Sequence, residues 1–323
     1  VSGGDMSSDP TNAYLVDKFY QVPAAKDPNY VNAIIDICKK ENVDIFIPQM
    51  SAELPVLFEN IESFKAENIK VSMTLNDNLY IANNKLKLFD FMSKNEIPVS
   101  KYTVIKSLDD FDRAIQEVGY PQKPVCIKLT ESSGARGVRI IDSTKSRFDI
   151  FANEKPDSFF ISYGDMKKTL QEADVFPEIM VMEYLSGDEY DVDLIADNGK
   201  VLYMAGRRNP VMVMSITQES ILERNDEAYK IAKEVVEKLK LDGNIGLDFK
   251  FAEDGSCRLL EINPRIDATV SIFAAGGLNL PYLQIKHLLG ETLPEINVKY
   301  GTRLKRRYSE MFTDINGNLL IEF

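Results

Sequence analysis

Two carboxylates and an amide, Asp248, Glu261 and Asn263, lie in two short apolar runs separated by an Asp254-Gly255 pair, and Arg265 follows closely. The runs read Gly246-Leu247-Asp248-Phe249 and Leu259-Leu260-Glu261-Ile262-Asn263-Pro264-Arg265. Asp-Gly between apolar runs signals a hairpin, which would gather three hard oxygen ligands at one sheet end. Mg2+ takes such oxygens and keeps sites open for phosphate, so a nucleoside triphosphate is the natural partner, with Mn2+ as the alternative cation. Arg265 would then face the γ-phosphate, where a fixed guanidinium stabilises charge that grows in the transition state. The competing reading is a solvated strand edge, but an Asn-Pro-Arg run after an apolar strand has little use in simple packing.

Two further groupings bear on this one. Lys128 interrupts the apolar run Val125-Cys126-Ile127-Lys128-Leu129 and precedes the small-residue loop Thr130 to Gly137, which includes Ser132, Ser133 and Gly134. Such a loop can lay backbone N–H groups over phosphates, although a lysine reaching past an ordinary hairpin loop to solvent would look the same. Glu183-Tyr184-Leu185-Ser186-Gly187-Asp188-Glu189 is a strand end and turn. In a nucleotide pocket its backbone could meet an adenine edge and a carboxylate could accept ribose hydroxyls; a charged turn is the plain alternative.

The elements that must position these groups follow from periodicity. Residues 27–41 and 54–66 read as helices, and 45–48 and 70–73 as short buried strands, so residues 1 to about 75 alternate as a parallel α/β unit. Val1-Ser2-Gly3-Gly4-Asp5 looks like the end of a strand, and an upstream strand and helix are expected to be missing. Helices are expected over 84–95, 108–118, 148–158, 164–172, 225–239 and 282–289. Strands are expected over 125–129, 138–141, 179–184, 190–196 and 201–205, with Asp197-Asn198-Gly199 turning a hairpin. Arg207 to Thr217 reads as a loop, and the basic tail Arg303 to Tyr308 as a solvated strand edge.

The chain has 323 residues, 44% of them hydrophobic, enough for two or three subdomains with real cores. Its net charge of -12 opposes non-specific attraction to nucleic acid or anionic membrane, so any phosphate must be gripped locally. No apolar run approaches the ~20 residues of a membrane span, and the cytoplasm is the default location. Cys38, Cys126 and Cys257 are odd in number and widely spaced, which speaks against disulfides or zinc. The single histidine, His287, is distant from every motif and reads as structural, which discourages Ser-His-Asp or Cys-His chemistry.

Taken in this order, the three groupings resemble the ATP-grasp superfamily over roughly residues 80 to 290. Residues 1 to 75, with Tyr14-Leu15-Val16-Asp17-Lys18-Phe19-Tyr20-Gln21-Val22-Pro23, resemble the preceding domain of stand-alone proteins similar to the carbamoyl-phosphate synthase large subunit. The resemblance implies an α/β and α+β chain. Its parts would be a truncated Rossmann-like pre-ATP-grasp domain (1–78), a helical linker part (79–120), a small subdomain with the glycine-bearing loop (121–186), a large subdomain with the metal site (187–295) and a strand extension (296–323).

The resemblance also implies residue roles. Lys85, Lys128 and the Ser132, Ser133, Gly134 and Gly137 loop would contact ATP phosphates, Glu183 and the Tyr184-Leu185 backbone the adenine, and Glu189 the ribose. Cys126 and Leu260 would line the adenine faces. Asp248, Glu261 and Asn263 would hold Mg2+, and Arg265 with Arg207 or Arg208 would face the transferred phosphoryl group or a substrate carboxylate. Asn84 before Lys85 and Leu129 after Lys128 depart from the family's usual aspartate and proline.

The activity implied is ATP-dependent ligation of a small carboxylate to an amine or other nucleophile through an acyl phosphate. Phosphorylation of bicarbonate or carbamate, or a non-catalytic ATP-binding scaffold, are the alternatives. Related proteins often form dimers, so the resemblance points to a homodimer.

Overall fold

The computed structural model describes residues 1–11, 13–130, 136–213, 215–308, 310–315 and 319–322. The amino-terminal part begins with β1 (Ser2–Asp5) and β2 (Lys18–Gln21), a parallel pair. Helix α1 (Tyr30–Glu41) follows and buries Tyr30, Ile34 and Cys38 along one face. The i, i+4 spacing of these residues is that of an amphipathic helix. Strand β3 (Ile45–Phe46), helices α2 (Glu53–Glu59) and α3 (Ile61–Ala66), and β4 (Lys70–Val71) complete the unit. Strands β3 and β4 are again parallel, but they form a sheet separate from β1 and β2. The helix expected over 54–66 is divided at Asn60, whose side-chain amide donates to the Val56 carbonyl at 2.8 Å. Such a local bond competes with helix continuation.

Helices α4 (Leu79–Ala82) and α5 (Lys85–Lys94) lead into the second sheet, and Asn84 caps α5 by accepting from the Lys87 N–H. Strand β5 (Tyr102–Ile105) lies in a segment expected to be helical linker, and helix α6 (Phe111–Val118) follows it. Strands β6 (Val125–Leu129) and β7 (Val138–Ile141), helices α7 (Arg147–Asn153) and α8 (Tyr163–Gln171), and strand β8 (Ile179–Glu183) complete this part. The antiparallel sheet runs β5-β8-β6-β7, with α6 and α8 packed on one face through Phe111, Ile115, Met166 and Leu170.

The third part contains β9 (Glu189–Asp197), β10 (Lys200–Val213), β11 (Ile216–Leu222), α9 (Asp226–Leu239), β12 (Gly243–Phe251) and β13 (Cys257–Asn263). After it come α10 (Ser271–Ala275), α11 (Leu280–Leu288), β14 (Arg303–Lys305), β15 (Met311–Thr313) and β16 (Leu319–Glu322). Six strands form one sheet in the order β13-β12-β9-β10-β11-β14. Asn198 and Gly199, both with positive φ, turn β9 into β10 as the sequence suggests.

The segment read as a loop between Arg207 and Thr217 is a correction: β10 continues to Val213 and β11 returns from Ile216. Its inward residues, Arg207 and Asn209, are polar yet buried, so no apolar period marks the strand. A register shift between Arg208 and Val211 accommodates Pro210, which has no N–H for a regular ladder.

One face of the six-stranded sheet carries Tyr190, Val192 and Leu194 against Ala232, Val235 and Val236 of α9. On the other face, Ile195, Ala205 and Leu222 pack on Ile272, Phe273, Leu280 and Leu283. Fully burying one such large apolar side chain stabilises by roughly 1.5–3 kcal/mol. The rest of that second face is polar and open. Among the described residues no helix is long and apolar enough to cross a membrane, and Cys38, Cys126 and Cys257 are free and buried.

Candidate active site

The sheet register builds the site. Arg207 on β10 stands opposite Asp191 on β9, Asp191 opposite Asp248 on β12, and Asp248 opposite Glu261 on β13. Directly opposed residues share a face, so this row crosses four strands on the open side of the sheet. The next row holds Asp193, Gly246 and Asn263.

A bulge makes the second half possible. In β13 the register steps from Glu261 opposite Asp248 to Leu259 opposite Phe249, leaving Leu260 as the extra residue. Strict alternation would place Glu261 on the same side as Cys257 and Leu259, which are buried in the core. The extra residue switches the strand's facing, so Glu261 and Asn263 point into the open side while Ile262 returns to the core.

Between the two large sheets lies a cleft of about 400 Å3. Cys126, Val138, Ile140, Met182, Tyr184, Leu185 and Leu260 give it an apolar lining, and Glu183 and Glu189 border it. The charged lining consists of Lys85, Lys128, Asp191, Arg207, Asp248, Lys250, Glu261, Arg265 and Asp267. A second pocket of about 560 Å3 shares Lys85, Glu261, Asn263 and Arg265 with the first, so this group stands where the two meet.

Asp248 and Glu261 stand directly opposite each other, and their carboxyls influence each other's protonation. Burial, with Asp191 and Glu261 nearby, holds the Asp248 carboxyl well above the usual range. Burial would raise Glu261 too, but Lys85, 2.7 Å away, overrides it and holds that carboxyl low. Asn263 donates to Asp248 at 3.0 Å and accepts from Arg265 at 3.1 Å.

Two facing carboxyls, one favouring the protonated form and the other the ionised, beside an amide oxygen, suit a divalent cation that would replace the proton. Among the described residues no three His, Cys, Asp or Glu side chains surround one point. The donors gathered here are two carboxylates and an amide, oxygen ligands of the kind Mg2+ takes while keeping waters and phosphate oxygens.

Arg265 is fixed by neutral oxygens: Ser51 Oγ at 3.2 Å, the Ile266 carbonyl at 2.8 Å and Asn263 Oδ1. Its remaining donors can serve an anion. Arg207 lines the cleft but is almost wholly buried and engaged by Asp191 at 2.5 Å, Asp267 at 2.6 Å, Asn209 at 2.8 Å and Thr217 at 3.2 Å. Burial pushes the Asp191 carboxyl up to about 6 against the pull of Arg207. Arg207 thus braces the acidic floor.

The expectation that Arg208 faces the cleft is corrected. It lies on the opposite side of β10, paired with Glu223 at 3.0 Å and Asp188 at 3.1 Å, because adjacent strand residues point to opposite faces. Lys85, Cys126, Lys128, Glu183, Tyr184, Leu185, Glu189 and Leu260 all line the cleft. Gly137 closes the loop at φ 69 with its carbonyl accepting from the Leu129 N–H, but it is not part of the lining. Ser132, Ser133 and Gly134 lie outside the described residues. His287 stands apart on α11, 3.8 Å from Asp197.

Several site residues escape sequence reasoning. Lys250, 3.9 Å from Glu189 and over the Tyr184 ring, follows Asp248 by two positions on the same strand, a signal that was available. The Asp191-Val192-Asp193 alternation inside an apolar strand also marks a polar face. Ser51 and Asp267 reach the site from loops and carry no sequence signal.

Comparison with known proteins agrees with this architecture. Residues 175–309 match the family model described as ATP-grasp in the biosynthetic pathway with Ter operon, and residues 1–72 match the PylC-like N-terminal domain. The arginine-specific carbamoyl phosphate synthase large chain of Halalkalibacterium halodurans is 23% identical over 310 residues, 92% of this chain and 27% of that protein. The large chain of Clostridium acetobutylicum is 22% identical over 288 residues, 86% of this chain and 25% of that one. The chain therefore spans about a quarter of the length of these curated relatives.

Biotin carboxylase from Campylobacter jejuni, solved as a β,γ-ATP complex, superposes with a TM-score of 0.66 at 18% identity, covering 91% of this chain and 66% of that one. N5-carboxyaminoimidazole synthetase from Staphylococcus aureus, complexed with ADP, superposes at 0.65 and 16% identity, covering 92% and 73%. The expected ATP-grasp fold is the observed one, with the match to the ATP-grasp model lying over residues 175–309 and the match to the PylC-like N-terminal domain over residues 1–72.

Proposed function

We propose that this protein is an ATP- and Mg2+-dependent ligase that activates a small carboxylate as an acyl phosphate for attack by an amine or other nucleophile. The observation that carries the reading is the lateral row Asp191, Asp248, Glu261 with Lys85 and Arg265 beside it, opening onto an otherwise largely apolar cleft. The names of the relatives and the nucleotides bound to the solved neighbours point the same way.

In this reading the apolar lining takes the adenine between Cys126 and Leu260, Glu183 and the Tyr184-Leu185 backbone meet its edge, and Glu189 accepts the ribose hydroxyls. Lys85 and Lys128 bind phosphate oxygens. Asp248, Glu261 and Asn263 would hold Mg2+, which supplies charge neutralisation on the phosphates when bound. Arg265, held rigid by Ser51 and Asn263, orients the substrate carboxylate. A carboxylate oxygen attacks the γ-phosphorus, the bond to the β–γ bridging oxygen breaks, and ADP leaves. The nucleophile then adds to the acyl carbon, loses its proton, and phosphate departs. Such transfer needs positioning and charge neutralisation more than a protein nucleophile, which suits a site rich in lysine, arginine and carboxylates.

The working division is an amino-terminal domain over 1–78, a linker part over 79–120, a small subdomain over 121–186, a large subdomain over 187–295 and an extension over 296–323. The test is Mg2+-dependent release of ADP and phosphate with panels of carboxylates, amines and bicarbonate. Release that requires a carboxylate supports the reading, and release with bicarbonate alone or with no acid overturns it.

A further inference from the structure

The second pocket differs in character from the nucleotide cleft. Its walls come from the amino-terminal domain, α4, α5 and the end of β13, with Pro55, Val56, Leu88 and Ile262 providing an apolar surface. At about 560 Å3 it has room for a small organic molecule. Its charges are unbalanced. Lys26, Lys85 and Arg265 line it, and Glu261 is the single carboxylate among its described lining residues.

Glu261 is already paired with Lys85. Arg265 is held by neutral oxygens alone, and Lys26 makes no ion pair among the described residues. The neighbouring Asp27 carboxylate accepts from the Asn29 N–H and does not line the pocket. Neither Lys26 nor Arg265 therefore forms an ion pair among the described residues, although the Asp193 charge acts on Arg265 from the cleft side, and both cations face a chamber of a chain whose net charge is -12. A ligand ammonium placed there would find no carboxylate partner, and like-charge placement is costly.

We propose that this chamber is the acid-substrate site and selects a carboxylic acid that bears a second anionic group on an apolar body, with one group at Arg265 and the other at Lys26. Matched acids carrying an ammonium in place of the second anion are excluded. The proposal rests on the ligase reading for its catalytic meaning, but ligand binding tests it independently of turnover.

The experiment is calorimetric titration of the full chain at low ionic strength with glutarate, pentanoate and 5-aminopentanoate, which share a five-carbon chain and differ in the far group. Glutarate should bind roughly fivefold tighter than pentanoate, the scale of one partly exposed charge pair, and 5-aminopentanoate should bind weakest. Lys26→Gln should bring glutarate down to the level of pentanoate and leave pentanoate unchanged. Binding of 5-aminopentanoate as tight as glutarate, no binding of any of the three, or an unaltered glutarate preference in Lys26→Gln overturns the proposal. Anion-selective binding without acid-dependent ADP release would retain the chamber and reject the ligase; release without that selectivity would do the reverse.

Discussion

Lys85 Nζ and a Glu261 carboxylate oxygen lie 2.7 Å apart, joining the first residue of α5 to the outer strand of the six-stranded sheet. The pair keeps Glu261 ionised although its neighbour Asp248 is pushed toward the protonated form. Both pockets border it, so it lies between the proposed phosphate and acid sites. Lys85→Met should raise the KM for ATP about tenfold, the scale of one lost charge-assisted bond, with little change in the unfolding midpoint. An unchanged KM would return Lys85 to a purely structural role.

Glu261→Gln removes the charge and keeps the shape. A glutamine cannot supply the anionic oxygen a divalent cation needs, and it relieves the crowding of carboxyls around Asp248. Turnover should fall by at least about a hundredfold, beyond the usual cost of disturbing an outer-shell partner. Circular dichroism and the melting temperature should stay close to wild type. Wild-type rates in this variant would contradict the metal assignment.

Arg207→Met should act on stability. Without the guanidinium, Asp191 and Asp267 lose their buried partner and Asp193 its nearest cation. Breaking a buried charge cluster by removing one side costs about 3–5 kcal/mol. Urea unfolding would measure it, and a loss below roughly 1 kcal/mol would show that the aspartates do not depend on Arg207.

Glu53 offers a pH signature away from the proposed metal ligands. Its carboxylate accepts from the Gln49 and Met50 N–H groups, shaping the loop that presents Ser51 to Arg265. Burial raises its carboxyl above the ordinary 4.5, only partly offset by those N–H groups and Tyr30. The folded state therefore holds the proton more tightly than the unfolded chain. That stabilisation is complete below about pH 4.5 and is lost as pH rises through the raised folded value. Between those points wild type should lose stability relative to Glu53→Gln, whose amide oxygen still accepts from the loop. A difference that stays constant across the window, or grows in the opposite sense, would contradict the assignment.

How much of this was legible follows from particular residues. The β12–β13 hairpin was legible because Asp254-Gly255 separates two apolar runs that each carry an acidic residue. The ordering of Lys128, Glu183 and Glu261 carried the fold. The bulge at Leu260 was hidden, since counting alternate residues from Leu259 places Glu261 on the core side. The β10–β11 hairpin was hidden because Arg207 and Asn209 are buried with polar partners, which erases the apolar period. Strand β5 passed for linker because its partner, β8, is more than seventy residues away in sequence. Short strands are defined by pairing more than by their own composition.

The most direct measurement is trapping of the activated acid. The protein is incubated with ATP, Mg2+, hydroxylamine and a panel of mono- and dicarboxylates, and hydroxamate and ADP are quantified together. An acyl phosphate intermediate should give hydroxamate in equal amount to ADP, only with a carboxylate and Mg2+ present, and none with Glu261→Gln. ADP formed without hydroxamate, or no ATP consumption with any acid, would contradict carboxylate activation at this site.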